Sequence, residues 1–89
     1  MFEWDERKNR INKAKHGLDF IEIERFDFDL AIVREDEDAE GERRFVATGP
    51  IGAKLCVVVY CERGANLRII SLRSAQRSER IRYVQDIGD

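Results

Sequence analysis

One apolar segment constrains the fold more than any other part of the sequence. Residues 55–61 read Leu-Cys-Val-Val-Val-Tyr-Cys and are apolar on both faces of a strand, as is typical of a central strand in a sheet. Residues 44–48 also have strand character, and residues 49–52 (Gly-Pro-Ile-Gly) between the two segments are typical of a tight turn. We therefore predict an antiparallel hairpin whose second strand is central, with helices covering one face of the sheet.

Two helices are predicted before this hairpin. After a short strand over residues 2–5, Asp5 can cap a helix over residues 6–16, which has a narrow apolar stripe of Ile11 and Ala14. A second helix is predicted over residues 19–26, because apolar side chains recur there every three residues and face the core: Phe20, Ile23 and Phe26.

The other elements surround the hairpin in sequence. Residues 30–33 predict a strand, and the acidic residues 35–41 predict a solvated loop. Residues 67–72 predict another strand, and residues 74–86 a final helix, in which Ile81 and Val84 have helical spacing. The order β-α-α-β-β-β-β-α predicts an α+β fold, an antiparallel sheet with two N-terminal helices and a C-terminal helix on one side. At 89 residues we expect a single domain, residues 1–89.

Composition narrows the location and the chemistry. No apolar run approaches the roughly 20 residues that span a bilayer, and Met1 leads into a charged segment, so we expect a cytoplasmic protein. Cys56 and Cys61 are five residues apart on a strand and should point to opposite faces, as buried free thiols. With a single histidine and no phosphate-binding glycine loop, we expect neither metal nor cofactor.

Charge is distributed unevenly along the chain. Residues 1–40 hold thirteen Asp and Glu against seven Lys and Arg, whereas residues 41–89 hold five against nine. The first part, at −6, repels phosphate, and the second, at +4, attracts it.

Arginines near the predicted last strand are the candidate phosphate ligands. Arg68 and Arg73 flank residues 69–72, and Arg77, Arg80 and Arg82 follow them. Guanidinium groups stay charged and donate paired hydrogen bonds to phosphate, so they can stabilise the charge that develops during RNA cleavage. Because Arg68 and Arg73 are five residues apart, a regular strand points them to opposite faces unless the strand twists or ends before Arg73. The alternative for each arginine is a surface salt bridge.

Candidates for proton transfer lie elsewhere. His16, beside Lys15, ends the first predicted helix, where the helix dipole favours its protonated form and Lys15 opposes it. Glu42 is a candidate base for a 2′-hydroxyl group. The alternative for His16 is a helix-capping role.

Four segments, in this order, together resemble the BrnT family of toxins from type II toxin–antitoxin systems. They are Phe2-Glu3-Trp4-Asp5, then residues 12–20 (Asn-Lys-Ala-Lys-His-Gly-Leu-Asp-Phe), then Gly41-Glu42-Arg43-Arg44, then residues 68–73 (Arg-Ile-Ile-Ser-Leu-Arg). The resemblance covers nearly the whole chain.

The resemblance implies a RelE-like fold, metal-independent RNA cleavage that blocks translation, and inhibition by a ribbon-helix-helix antitoxin of the BrnA type. It nominates five catalytic residues: Lys15, His16, Glu42, Arg68 and Arg73. The expected RNA-binding residues are Arg44, Arg77, Arg80 and Tyr83. DNA is expected as a partner only through the antitoxin.

A second hypothesis belongs to a different functional class. The chain keeps the fold and the partner surface, does not cleave RNA, and acts as a corepressor with its DNA-binding antitoxin. Under either hypothesis the acidic residues 35–40 are a candidate anchor for a basic or apolar antitoxin segment.

Overall fold

A five-stranded sheet forms the centre of the computed structural model, which describes residues 1–88. The strands lie in the order β1-β5-β4-β3-β2, and two α-helices and two 3-10 helices surround them. The strands are β1 (Phe2–Glu3), β2 (Ile32–Asp36), β3 (Arg44–Ile51), β4 (Lys54–Arg63) and β5 (Asn66–Ser74); the α-helices are α1 (Glu6–His16) and α2 (Arg77–Gly88). The predicted α+β class is confirmed.

The predicted hairpin is present, and β4 is the central strand. The predicted turn at residues 49–52 is wrong, because β3 continues to Ile51, which pairs with Lys54 and leaves Gly52 and Ala53 as the turn. Gly52 adopts a φ of 59°, which glycine tolerates best. Pro50 fits inside β3 because β2 starts opposite Thr48, so its missing N–H faces no neighbouring strand.

The hydrophobic core covers one face of the sheet. The predicted second helix is a 3-10 helix (Phe20–Arg25) capped by Asp19, and a second 3-10 helix (Phe28–Leu30) follows it. The predicted inward-facing residues Phe20, Ile23 and Phe26 are buried as expected, and they pack on β3, β4 and β5. Gly49 lies under this layer, where an added Cβ would come within 2.9 Å of the Phe26 ring.

Helix α1 packs through asparagines, and the predicted stripe of Ile11 and Ala14 is wrong because both side chains are exposed. Asn12 Nδ2 donates to the Leu72 carbonyl (2.8 Å), and Asn12 Oδ1 accepts from the Leu72 N–H (3.1 Å). The amide thus replaces a neighbouring strand along the outer edge of β5. Asn9 Oδ1 accepts from the N–H of Phe20. A helix that packs on a strand edge needs hydrogen-bonding groups on its inner face.

A β-bulge interrupts β5. Tyr60 pairs with Ile69 and Val59 with Ser71, so Ile70 is an extra residue with no partner on β4. The bulge shifts the alternation of side chains by one residue. Arg68, opposite Cys61, and Arg73, opposite Val57, therefore lie on the same face of the sheet.

Helix α2 lies on the opposite face from the 3-10 helices, so the prediction of all helices on one side is wrong. α2 begins at residue 77, three residues later than predicted. Tyr83 is the residue that α2 buries, and its hydroxyl donates to the Leu30 carbonyl (2.6 Å). Ile81 and Val84, whose spacing predicted this helix, are 49% and 63% exposed.

Both ends of the sheet differ from the prediction. β1 pairs with β5 in parallel, whereas the other strand pairs are antiparallel. β2 covers residues 32–36, so the acidic segment begins inside a strand and the loop is shorter than predicted.

The two cysteines are free and buried, as predicted. Cys56 belongs to the core cluster, and Cys61 faces the other side of the sheet, opposite Arg44 on β3. Within residues 1–88 no helix is long and apolar enough to cross a membrane.

Candidate functional site

Five arginines share the sheet face that carries α2, and we call this surface the arginine face. The register of the strands places them there: Arg34 on β2, Arg44 on β3, Arg63 on β4, and Arg68 and Arg73 on β5. The bulge at Ile70 is what adds Arg73 to the same face as Arg68. Ser71 lies between these two arginines on this face, opposite Val59.

Arg68 is held by a carboxylate from the first strand. Arg68 Nη1 donates to Glu3 Oε2 at 2.9 Å, and the two side chains are about one-third exposed (27% and 33%). Hydrogen bonds from Asn66 and Arg68 lower the pKa of Glu3, so the carboxylate stays charged. The parallel pairing of β1 with β5 puts Glu3 directly beside Arg68.

Glu42 lies at the same end of the arginine face. Arg63 donates to both of its oxygens, from Nε to Oε2 (2.8 Å) and from Nη2 to Oε1 (2.9 Å). These bonds, and a contact with the Cys61 thiol, lower the pKa of Glu42. A carboxylate with a lowered pKa is a weak base, which reduces its fitness to deprotonate a 2′-hydroxyl group. Burial and Glu42 raise the pKa of Cys61, which therefore stays a thiol.

Arg73 is held by α2 at the other end of the face. Its two terminal nitrogens donate to the two carboxylate oxygens of Glu79, at 2.7 and 2.8 Å. Glu79 Oε1 also accepts from the N–H of Gln76, just before α2. This bidentate pair therefore fixes the start of α2 to β5, and its hydrogen bonds lower the pKa of Glu79.

The RNA-binding candidates on α2 differ in their surroundings. Arg77 is exposed at the start of the helix. Arg80 Nη1 donates to the Ala75 carbonyl (2.8 Å). Tyr83 is 9% exposed, and its hydroxyl is bonded to Leu30. Arg44 on β3 is exposed and has no ion pair within the described residues 1–88.

Lys15 and His16 end α1 beside β5. Both side chains line a cavity of about 190 Å³ together with Lys8, Ile70 and Ser71. Partial burial, the charge of Lys15 and the charge of Arg73 lower the pKa of His16. The sequence left the charge of His16 open, and these surroundings favour the neutral imidazole at pH 7. A neutral imidazole can accept a proton, and the cavity that His16 lines also contains the hydroxyl group of Ser71.

The charge of Arg73 gives a direct test of this arrangement. We expect the single histidine to titrate with a midpoint below 6.5 in an NMR pH series, and the Arg73→Ala variant to titrate at a higher pH than the parent. Since unfolding restores the ordinary pKa of His16, the unfolded chain binds a proton near pH 6.5, whereas the folded chain binds it only at lower pH. The free energy of unfolding should therefore fall as pH falls through that value.

The matched control for this titration is Arg63→Ala, which removes a cation from the far end of the arginine face. Its midpoint should equal that of the parent. Equal midpoints for the parent and Arg73→Ala would contradict the proximity of His16 and Arg73.

The candidates fall into two groups. One contains Glu42, Arg44 and Arg68, and the other contains Lys15, His16 and Arg73. Cys61 and Val57, the β4 partners of Arg68 and Arg73, are four residues apart, or about 13 Å along a strand. The two arginines therefore fit neighbouring phosphates of one nucleic-acid strand better than a single phosphate.

Sequence reasoning missed four residues of this surface: Arg34, Cys61, Arg63 and Ser71. Alternation along the predicted hairpin places Cys61 on the same face as Arg44, so that signal was available. No pattern in the sequence indicated that Arg63 would bind Glu42. Among residues 1–88 no group of three His, Cys, Asp or Glu side chains is arranged to hold a metal ion.

Comparisons with known proteins agree with the resemblance read from the sequence. A family model described as the ribonuclease toxin BrnT of a type II toxin–antitoxin system matches residues 4–79. The crystal structure of the Brucella abortus ribonuclease toxin BrnT is 35% identical, with a TM-score of 0.71, over 86% of this chain and 99% of that one. No curated protein sequence matches the chain. The chain belongs to the BrnT family of ribonuclease toxins from type II toxin–antitoxin systems.

Proposed function

We propose that the arginine face binds and cleaves RNA without a metal ion, and that cleavage blocks translation. The observation that carries the proposal is the bulge at Ile70, which gives Arg68, Ser71 and Arg73 a common face. A bulge that redirects a side chain is frequent beside active sites. The reaction class is inferred from the family, and the location of the reaction on the arginine face is inferred from this geometry.

The reaction divides among the residues as follows. Arg68 and Arg73 bind successive phosphates and stabilise the charge that develops on one of them. Neutral His16 accepts the proton of a 2′-hydroxyl group, whose oxygen attacks the adjacent phosphorus while the 5′-oxygen leaves with a proton from water, and the hydroxide that remains is neutralised by the proton held on His16. The products are a 2′,3′-cyclic phosphate and a 5′-hydroxyl end. Lys15 binds the backbone nearby.

RNA has to exchange places with the carboxylates that now hold the arginines. Glu3 and Glu79 are each about one-third exposed, at 33% and 28%, so a phosphate can approach from solvent. Glu3 belongs to the short strand β1 and Glu79 to the helix α2, and both carboxylates hold the guanidinium groups in position until RNA arrives. We assign Glu42 to the positioning of Arg63 because the two groups are bound bidentately.

The RNA-binding residues are revised by their environments. Arg44 and Arg77 are exposed and available to phosphates. Arg80 and Tyr83 use their polar groups on the backbone of Ala75 and Leu30. We therefore propose that Arg80 and Tyr83 support α2, and that Arg44 and Arg77 contact RNA.

The partner of this toxin is an antitoxin, and we propose that it is of the ribbon-helix-helix type. It restrains the toxin in the cytoplasm and carries the contact with DNA. A second candidate function, corepression without cleavage, is favoured by the ion pairs that neutralise Arg63, Arg68 and Arg73 in the free chain.

The end groups of the RNA fragments test the proposal. Purified chain should cleave single-stranded RNA at the same rate before and after EDTA treatment, and leave 2′,3′-cyclic phosphates. Loss of cleavage in EDTA with recovery on added Mg²⁺, or 5′-phosphate ends, would contradict the metal-independent route. Intact RNA, with normal growth of cells that express soluble chain, would favour corepression.

A further inference from the structure

The two edges of the sheet are protected differently. On one side β1 pairs with the start of β5, and Asn12 occupies the β5 backbone further along. On the other side β2 is the last strand of the sheet. Within residues 1–88 no strand pairs with its outer edge. Alternate N–H and C=O groups of an edge strand point outward and are available to another strand.

The first half of strand β2 also lacks the usual safeguards of an exposed edge. The strand, Ile-Val-Arg-Glu-Asp, contains no proline, and its charged side chains begin only at the third residue; proline and charged side chains are what commonly discourage pairing. Apolar side chains are exposed at its start and just before it: Ile32 (37%) and Val33 (45%) on the strand, and Leu30 (49%) at the end of the preceding 3-10 helix. Ile32 and Val33 point to opposite faces of the sheet, so an added strand can bury apolar side chains against both.

The charge of this edge selects the partner. Residues 32–40 contain five acidic residues and one arginine, a net charge of −4. A second copy of this chain would bring the same acidic segment to the contact, where like charges repel. An extended segment with basic and apolar residues complements both the charge and the exposed apolar side chains.

We propose that such a segment of the antitoxin adds to the sheet as a sixth strand beside β2, with its basic residues against residues 35–40. This inference rests on the antitoxin partnership and names the surface that serves it. β2 and β5 are three strand positions apart, or roughly 14 Å. The added strand is therefore an anchor that leaves Arg68 uncovered, and another part of the antitoxin covers the arginine face.

Hydrogen exchange of the complex locates the anchor. In the complex of this chain with its antitoxin, the amides of Ile32–Asp36 should exchange at least tenfold more slowly than in the free chain. Unchanged exchange in β2, with protection confined to other elements, would overturn the proposal. So would failure of the antitoxin to bind the parent chain.

Two variants test the chemistry of the anchor. Val33→Lys places a charge on the exposed edge, and Glu37→Lys with Asp38→Lys reverses the acidic turn. Each should weaken antitoxin binding at least tenfold, and the charge reversal should also flatten the dependence of Kd on salt. The matched controls, Ile21→Lys and Glu24→Lys with Asp29→Lys, change exposed residues of the 3-10 segments and should bind like the parent.

The proposed nuclease activity is measured separately on the same variants. They should cleave RNA, or arrest growth in cells without antitoxin, as the parent does. Parental antitoxin affinity in both edge variants would overturn the anchor and leave the nuclease proposal standing. A free chain that is dimeric by light scattering, and monomeric as Val33→Lys, would assign the edge to a second copy and also overturn it.

Discussion

Removal of both Arg68 and Arg73 is expected to abolish growth arrest by this chain and to lower its rate of RNA cleavage at least about 100-fold, since loss of a single preorganised charge donor already costs that much in other enzymes. The two guanidinium groups share a face of the sheet and flank Ser71. The measurement is induced expression of the parent and of Arg68→Ala/Arg73→Ala in bacteria without antitoxin, followed by RNA integrity and by cleavage rates of the purified proteins.

The matched control for this experiment is Arg7→Ala/Arg10→Ala. It removes two exposed arginines of α1 and so makes the same change in net charge. This control should remain toxic and cleave RNA near the parental rate. Toxicity that survives in a soluble Arg68→Ala/Arg73→Ala variant would refute the assignment of the site to the arginine face.

The largest loss of stability from a polar residue is expected at Asn12. Its amide is 6% exposed and bonds to the N–H and carbonyl of Leu72 and to the carbonyl of Leu18. Asn12→Leu keeps the size of the side chain but leaves these buried backbone groups without partners, each at a cost of about 1–3 kcal/mol. We expect the free energy of unfolding in urea to fall by about 3 kcal/mol.

Lys13→Leu is the companion variant, because it introduces the same side chain at the next, exposed position of α1. Its free energy of unfolding should stay within about 0.5 kcal/mol of the parent value. A fall of less than about 1 kcal/mol in Asn12→Leu would show that water satisfies the edge of β5 without help from α1.

The hairpin and the core residues could be read from the sequence because they depend on local alternation and on strong apolar runs. Both faces of β4 are buried as its composition predicts. The start of the turn was predicted three residues too early because Gly49-Pro50 resembles a turn locally. What keeps Pro50 in a strand is the point at which β2 begins, and this depends on a segment some twenty residues earlier.

The orientation of the helices was predictable only where apolar side chains decide it. In α1 the inner face is made of Asn9 and Asn12, which a search for an apolar stripe treats as the outer face. In α2 the aromatic Tyr83 is buried while Ile81 and Val84 stay exposed. Both errors arise because these helices contact an edge or a small part of the sheet, where one or two side chains suffice.

The candidate residues of the site were nominated one by one from the sequence, but their arrangement was not. Arginine chemistry and the family resemblance nominated Arg68 and Arg73, whereas regular alternation separated them. Arg68 and Arg73 lie on one face because Ile70 has no partner on β4. No local signal in the sequence distinguishes Ile70 from its neighbour Ile69. The charge of His16 likewise depended on the folded structure, through partial burial and the charges of Lys15 and Arg73, and Arg73 is distant in sequence.

The bulge in β5 also bears on how relatives of this chain can vary in length. Residues can be gained or lost in the turn between β2 and β3 without changing the strand register, because the backbone of that segment pairs with no strand. Between Arg68 and Arg73 the spacing and the bulge are linked: a spacing of five residues with a bulge, or of four without one, puts both arginines on one face, whereas a spacing of five in regular alternation turns one of them toward the core. A relative that keeps both arginines active on one face should therefore either keep the bulge or lack the extra residue at the position of Ile70.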